Sequence, residues 1–450
     1  MIKNFKNFLI DRNVSLKSAM KQIQKNKKNI VFITEGKKQR VIASLTDGDL
    51  RRSLIKNSNL ERKVYTCFNR KFKFIIDSKD REKILKLFDQ DYKLIPILSK
   101  DGRLIDLIDQ LKPLDEKKII VRARSPARIS LAGGGTDITK FFFDQGGNGI
   151  SFTINKYCNV HLVKRDDKKI IINSDDYNKR VEFKSLKDIK YNGTLDIIKS
   201  SIYLLKPNFG FEIFVETDVK PGSGLGGSAS VSSAVIGVIN YLQNRKLSKY
   251  EIAELAFQAE RIELGILGGW QDQYSTVFGG CNIMEFQKDK NLVQNLILPN
   301  NVTDELERRL IICNTKIPHR GSALQLKNKN NSKLSNYGKK LKKIVNEIRA
   351  ELLKGKTDNL GELIQNTWEI KKKLDKGMTN KKIKNMEKKL CKSDLASGCR
   401  LLGTGGGGYM LFYVKPKDRF NFVNKLKKMK IEYSNIQFDQ EGLKVWEADL

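Results

Sequence analysis

The chain has 450 residues, with 85 Lys and Arg against 51 Asp and Glu and a formal charge of +34. That length predicts two or three domains, and the charge first suggests nucleic acid; yet the lysines are spread throughout and no RNA- or DNA-binding module is present, so solvated helix faces explain them better. Two histidines and six cysteines without a CxxC pair argue against zinc and for reduced buried thiols, and no apolar run or leader pattern is present, so a cytoplasmic protein with no membrane partner is expected.

In chain order, Leu16–Gln24 has a helical pattern and precedes residues 30–54, which hold two apolar strands around a polar turn. Arg81–Gln90 and residues 94–111 repeat that order. Given twice, the pattern resembles a tandem cystathionine-β-synthase (CBS) domain pair over residues 1–114. The match is nearest to pairs attached to sugar nucleotidyltransferases, notably at Thr46-Asp-Gly-Asp49-Leu-Arg-Arg52. The resemblance implies that Thr46 and Asp49 bind the ribose of a regulatory adenine nucleotide. The second unit has Asp106-Leu-Ile-Asp109 and lacks the Thr, so at most one competent site is expected. A purely structural or dimerising pair stays open. Pro113–Lys118 reads as a linker.

Next come a strand-like Ile119–Ala123 and the segment Ser125-Pro-Ala-Arg-Ile-Ser-Leu-Ala-Gly-Gly-Gly-Thr-Asp137. Phe211–Glu216 alternates with a period of two and reads as a strand; Ala229–Tyr241 reads as a helix. Between them lies Pro221-Gly-Ser-Gly-Leu-Gly-Gly-Ser-Ala229. A glycine loop between strand and helix turns backbone N–H groups and a helix N-terminus toward one point, which suits phosphate. The loop matches G-x-G-x-x-G, but no second strand ending in an acid follows. Leu247–Glu263 is helical instead, with Ser248 as N-cap. No Lys-Ser or Lys-Thr closes the loop in Walker form. The third cluster, Leu401-Leu-Gly-Thr-Gly-Gly-Gly-Gly-Tyr409, runs into the strand candidate Met410–Val414. Glycine costs backbone entropy, so three clusters beside strands imply close approach to a ligand.

These three motifs, in this order, resemble those of the GHMP small-molecule kinases over roughly residues 118–450. Gly269-Trp-Gln-Asp-Gln-Tyr274 with Phe278-Gly-Gly280, and Trp368 with Lys371 and Lys372, resemble the D-glycero-D-manno-heptose 7-phosphate kinase branch. The resemblance implies an α/β (α+β) two-lobed fold: a ribosomal S5-like N-terminal lobe (115–300) that binds ATP, and a ferredoxin-like C-terminal lobe (301–450).

It also implies roles. Pro221, Gly222, Ser223, Gly224, Leu225, Gly226, Gly227, Ser228 and Ala229 would bind ATP. Ser228 and Glu260 would hold Mg2+, with Glu263 as an alternative on the same helix face. Asp272 would be the base that accepts or orients the acceptor hydroxyl, with Arg128 beside it. Gly134, Gly135, Thr136 and Asp137, with Gly405, Gly406 and Gly407, would bind the sugar. Plainer readings stand beside these: Ser228 as an N-cap, Glu260 and Glu263 as solvated helix residues, Arg128–Asp272 as an ordinary ion pair, Asp137 as a helix cap.

Galactokinases carry a Glu-His pair where this chain has Gly134 and Gly135, so a longer or phosphorylated sugar is expected. Arg320 after His319, or Lys371, Lys372 and Arg400, would meet its phosphate. Arg400 stands where heptose kinases commonly have Lys, which leaves the substrate less defined than the reaction. A fucose- or arabinose-type kinase and an inactive nucleotide-sensing protein are the alternatives, with a homodimer a further expectation.

Overall fold

The computed structural model describes residues 5–36, 39–77, 80–111, 120–317, 331–374, 376–391 and 395–448. Linker residues 113–118 and the candidates His319 and Arg320 lie outside these. The chain divides into two compact units, Met1–Lys117 and Lys118–Leu450.

In the first unit, strands Leu9–Asp11, Ile30–Glu35 and Arg40–Thr46 form one three-stranded sheet, with the helix Leu16–Asn26 between the first two and the helix Asp47–Lys56 after the third. Ile75–Ile76, the helix Arg81–Asp89, and strands Leu94–Leu98 and Leu104–Asp109 repeat the arrangement. In both sheets the first pairing is parallel and the second antiparallel. A bulge recurs at the same offset, between Ile33 and Thr34 and between Ile97 and Leu98. The repeats share a core of Phe8, Phe32, Val41, Leu94, Leu98 and Leu107.

The second unit is built on an eight-stranded sheet around the long strand Gly147–Arg165. That strand pairs antiparallel with Gly210–Thr217 and Cys281–Phe286 along one edge and with Ile120–Ala132 along the other. Ile120–Ala132 is extended through Pro126, which lacks an N–H to donate; the register shifts between Pro126 and Ala127. The last strand, Lys444–Ala448, pairs with Ile120–Ala132, so the chain end returns to this first sheet. Helix Gly227–Leu242 is buried nearly all round, as its small apolar sequence requires.

A second, antiparallel sheet takes the order Gly398–Leu401, Tyr409–Tyr413, Leu310–Asn314, Tyr433–Asn435. Numbered along the chain this is 2-3-1-4, the split β-α-β order of ferredoxin-like folds. Helices Asn331–Leu353, Leu360–Leu374 and Lys381–Leu390 fill its first crossover. Among the described residues no helix is long and apolar enough to cross a membrane. The six cysteines are unpaired, and burial pushes the thiols of Cys158, Cys281, Cys313 and Cys399 upward.

Candidate active site

The Gly-rich loop leaves the strand Gly210–Thr217 and enters Gly227–Leu242 with Gly226 as N-cap at φ +77°. Ser228 is therefore not the cap; its side chain is exposed and lines the same cleft as Glu260. Gly226, Gly227, Ser228 and Ala229 line a cleft of about 900 Å³, so the helix N-terminus faces it.

The glycine clusters meet here. A Cβ on Gly224 (φ +78°) would stand 2.6 Å from the Leu402 carbonyl, and one on Gly408 (φ +89°) 2.4 Å from the Ser223 carbonyl. Tyr409 N donates to the Ser223 carbonyl at 2.8 Å. Only residues without a side chain let these two loops lie on each other.

From the third cluster, Gly403 and Thr404 line the cleft. Gly405 and Gly406 pack on Met378, whose carbonyl accepts from Gly406 N at 3.1 Å. The cleft lining includes none of Gly405, Gly406 and Gly407. Gly134, Gly135 and Asp137 line it, while Thr136 is buried with its hydroxyl 2.8 and 2.7 Å from the carbonyls of Gly133 and Asn148. Asp137 Oδ1 accepts from Gly135 N at 2.7 Å and Oδ2 from Gln271 N at 3.3 Å. It ties this loop to the Gly269–Tyr274 segment; the next helix, Thr139–Gln145, starts from Ile138 without a side-chain cap. Burial pushes the Asp137 carboxyl upward, and the charge of Asp272 adds to that.

Asp272 sits in the first turn of Gln271–Phe278. Its Oδ1 accepts from Arg128 Nε at 2.8 Å and Nη2 at 2.7 Å. Arg128 is 4 % exposed and also donates through Nη1 to the Gly224 carbonyl at 2.6 Å. One guanidinium thus connects the phosphate-loop backbone to the carboxylate. Asp272 keeps 26 % of its side-chain exposure, toward the cleft it lines.

Glu260 lies in a π-helical turn, Gln258–Ile262, that follows the helix Lys249–Phe257, itself started by a Ser248–Glu251 capping box. It is 5 % exposed, paired with Arg261 at 3.1 Å and bonded by Gln273 Nε2 at 2.8 Å. Burial raises its pKa, Arg261 opposes this, and Asp272 raises it further. Glu263 also lines the cleft and accepts from Tyr191 Oη at 3.3 Å.

Sequence reasoning named Lys371 and Lys372 together; the structure separates them. Lys371 lies in the cleft wall, buried, and burial followed by the Arg400 charge lowers its pKa to about 7. Lys372 turns to Glu369 at 2.7 Å and Glu387 at 2.8 Å, and Glu387 also accepts from Trp368 Nε1 at 3.2 Å. Arg400 is fully buried and donates to the Leu131 carbonyl. Ser130 and Gln271, which the sequence reading passed over, line the cleft and are bonded at 3.1 Å.

In the first unit Thr46 and Asp49 lie side by side in a capping box. Thr46 Oγ1 accepts from Asp49 N at 3.1 Å and Asp49 Oδ2 from Thr46 N at 3.0 Å. The Thr-x-x-Asp spacing is itself such a signature.

Residues 194–280 match the family model of the GHMP kinases N-terminal domain. Over 335 residues the chain is 33 % identical to D-glycero-alpha-D-manno-heptose 7-phosphate kinase of Campylobacter jejuni, spanning 72 % of this chain and 98 % of that protein. It is 28 % identical over 380 residues to L-fucokinase/L-fucose-1-P guanylyltransferase of Bacteroides fragilis, spanning 74 % of this chain but 39 % of that one. The crystal structure of a D-glycero-D-manno-heptose 1-phosphate kinase from Bacteroides thetaiotaomicron superposes with a TM-score of 0.62 at 26 % identity, covering 73 % of this chain and 100 % of that one. The two-lobed fold and the glycine-lined cleft are those of a small-molecule phosphotransferase. This chain belongs to the GHMP kinases.

Proposed function

We propose that the protein transfers the terminal phosphoryl group of ATP to the anomeric hydroxyl of a sugar phosphate. The preferred acceptor is D-glycero-D-manno-heptose 7-phosphate and the product its 1,7-bisphosphate, a precursor of nucleotide-activated heptose for surface polysaccharide. The observation that carries this reading is the Arg128–Asp272 pair between the Gly222–Ser228 loop and the Gly134–Asp137 loop. Relatives spanning most of the chain are sugar kinases by name.

Phosphoryl transfer needs positioning and charge stabilisation more than covalent chemistry. The Gly222–Ser228 backbone cradles the phosphates. Asp272 orients the acceptor hydroxyl and takes its proton. The hydroxyl oxygen then bonds the terminal phosphorus as the bond to the ADP oxygen breaks. Arg128 holds the Asp272 carboxylate in place and offsets negative charge on the group in transit. Asp137 and Gln271 line the acceptor side.

Among the described residues no three His, Cys, Asp or Glu side chains cluster as a metal cage. Ser228 and Glu260 both line the cleft and offer two oxygen ligands, which suits Mg2+, an ion that keeps waters and takes phosphate oxygens. When bound, it neutralises phosphate charge.

A panel of sugars and sugar 7-phosphates with labelled ATP tests the reading. Turnover restricted to unphosphorylated sugars, such as fucose, would reject the heptose assignment.

For Met1–Lys117 we infer a CBS-type pair that regulates the kinase or dimerises, with Thr46 and Asp49 facing an adenine nucleotide. The repeated strand–helix–strand–strand order and the repeated bulge support it. Titrating AMP and ATP into the Asp272→Ala chain, followed by its melting transitions, tests this. Thr46→Ala, which also removes a cap worth about 1 kcal/mol, should abolish any AMP-dependent rise.

A further inference from the structure

Three buried cations converge on the acceptor side of the cleft, and only one of them has a carboxylate to itself. Arg128 is bonded to Asp272 and to the Gly224 carbonyl. Arg400 is 1 % exposed; its Nη1 donates to the Leu131 carbonyl, and its Nε has no hydrogen-bond partner among the described residues. The charge acting on it is another cation, Arg128. Lys371 is 6 % exposed, lines the same cleft and is subject to the charges of Arg400, Asp137, Arg128 and Asp272. Both of those carboxylates are already engaged, Asp137 by the amides of Gly135 and Gln271 and Asp272 by Arg128. Buried Lys and Arg are rare without a partner, because desolvation is repaid only by a matching charge. With Lys371 protonated, as a bound phosphate would hold it, the local sum is three positive against two negative groups, with the excess on the Lys371–Arg400 side.

Gly134 faces the Lys371 ammonium. Its backbone lies outside the left-handed region, so no conformational demand requires glycine. A Cβ at this position would stand 3.1 Å from Lys371 Nζ, which would have to give by a few tenths of an ångström, and at ordinary contact distance, 3.7 Å, from Gln271 Oε1. The empty position is where the ammonium enters the cleft. Helix phase fixes which lysine arrives. Lys371 follows Ile364 and Trp368 along the buried stripe of Leu360–Leu374, and Lys372 is turned about 100° away, onto Glu369 and Glu387.

We propose that Lys371, beside the bare backbone at Gly134, and Arg400 form a subsite for a phosphate monoester that the acceptor already carries, and so select phosphorylated over free sugars. The guanidinium fork and the ammonium point charge are complementary donors for a phosphate dianion. This rests on the sugar-phosphate kinase reading and adds the residues that enforce it. The rival source of such a phosphate is the group being transferred from ATP.

Binding measured separately for each substrate distinguishes the two. The full chain is titrated by calorimetry with D-glycero-D-manno-heptose 7-phosphate without nucleotide, and separately with MgATP. Lys371→Met and Gly134→Glu, the latter placing a carboxylate against Lys371, should each weaken sugar-phosphate binding tenfold or more. MgATP affinity should stay within about twofold, which also reports a folded cleft. Lys371→Arg should recover part of the loss, and Lys372→Met should change neither affinity. If Lys371→Met weakens MgATP and spares the sugar phosphate, the cations serve the transferred group and the proposal is wrong. It is equally wrong if both variants bind the sugar phosphate like the unaltered chain. An unaltered chain that binds no sugar phosphate at all removes the sugar-phosphate reading of the acceptor, and this subsite with it.

Discussion

Replacing Asp272 separates its chemical role from its structural one. In the intact site Oδ1 accepts two N–H groups of Arg128, at 2.8 and 2.7 Å. Asp272→Ala removes both and leaves a nearly buried guanidinium with the Gly224 carbonyl. Breaking a fully buried pair costs about 3–5 kcal/mol. Here Asp272 opens to the cleft, so water screens the orphaned charge and about 1–3 kcal/mol is expected, a Tm shift on the order of 5 °C. Asp272→Asn keeps an oxygen for Arg128 and should cost under about 1 kcal/mol. The chemistry responds differently. Both variants lose the carboxylate that takes the hydroxyl proton, so kcat should fall about 10²–10⁴-fold in each. ATP affinity should hold, because the phosphate loop is untouched. Steady-state turnover with labelled ATP, nucleotide titration and thermal melts read the three quantities. Near-normal kcat in Asp272→Asn would refute the argument, as would a kcat loss in Asp272→Ala that merely follows its loss of ATP binding.

Gly224→Ala combines a left-handed φ with a Cβ 2.6 Å from the Leu402 carbonyl, so melts should show a loss of at least about 1–2 kcal/mol and kinetics a raised KM for ATP. Lys372→Met should leave both substrate KM values unchanged, yet destabilise by about 1–3 kcal/mol because the buried Glu387 loses its cation; an altered acceptor KM would place Lys372 in the cleft after all. Lys371 gives a pH signature. Its pKa falls from 10.5 in the open chain to about 7 when folded, so between those values the unfolded chain holds a proton that the folded one lacks. Stability from this group therefore rises with pH above 7, and the cost of burying the charge is fully present below 7. Denaturant melts at pH 7 and pH 9.5 should show the unaltered chain gaining on Lys371→Met; a constant difference would contradict the burial.

Much of the site could be read from residue type and spacing. The alternation of Phe211–Glu216, the small residues of Ala229–Tyr241 and the Ser248 cap predict elements that the structure places at Gly210–Thr217, Gly227–Leu242 and Lys249–Phe257. Glycine clustering predicts close approach, and two of the runs do lie on each other. What clustering cannot tell is what is being approached: Gly405 meets Met378, and the Gly133 position meets the backbone of Asn148 and Gly149. The Arg128–Asp272 meeting joins a strand and a helix 144 residues apart in the chain, and only the motif resemblance joined them. Lys371 was separable from Lys372, since Ile364, Trp368 and Lys371 share a helical stripe; an ammonium on an apolar stripe is the signal. Thr46-x-x-Asp49 carried a cap signature as well as a ligand one. The π turn at Gln258–Ile262 left no trace, because one extra residue per turn shifts the phase of Glu260 without changing composition.

The central claim is that a sugar already bearing one phosphate receives a second on its anomeric oxygen. Phosphorus NMR of the reaction with D-glycero-D-manno-heptose 7-phosphate and ATP tests it most directly. A new sugar-phosphate resonance coupled to the anomeric proton should grow in step with ADP while the original 7-phosphate signal persists. ADP formed without that coupling, or a new phosphate on any other carbon, would contradict it.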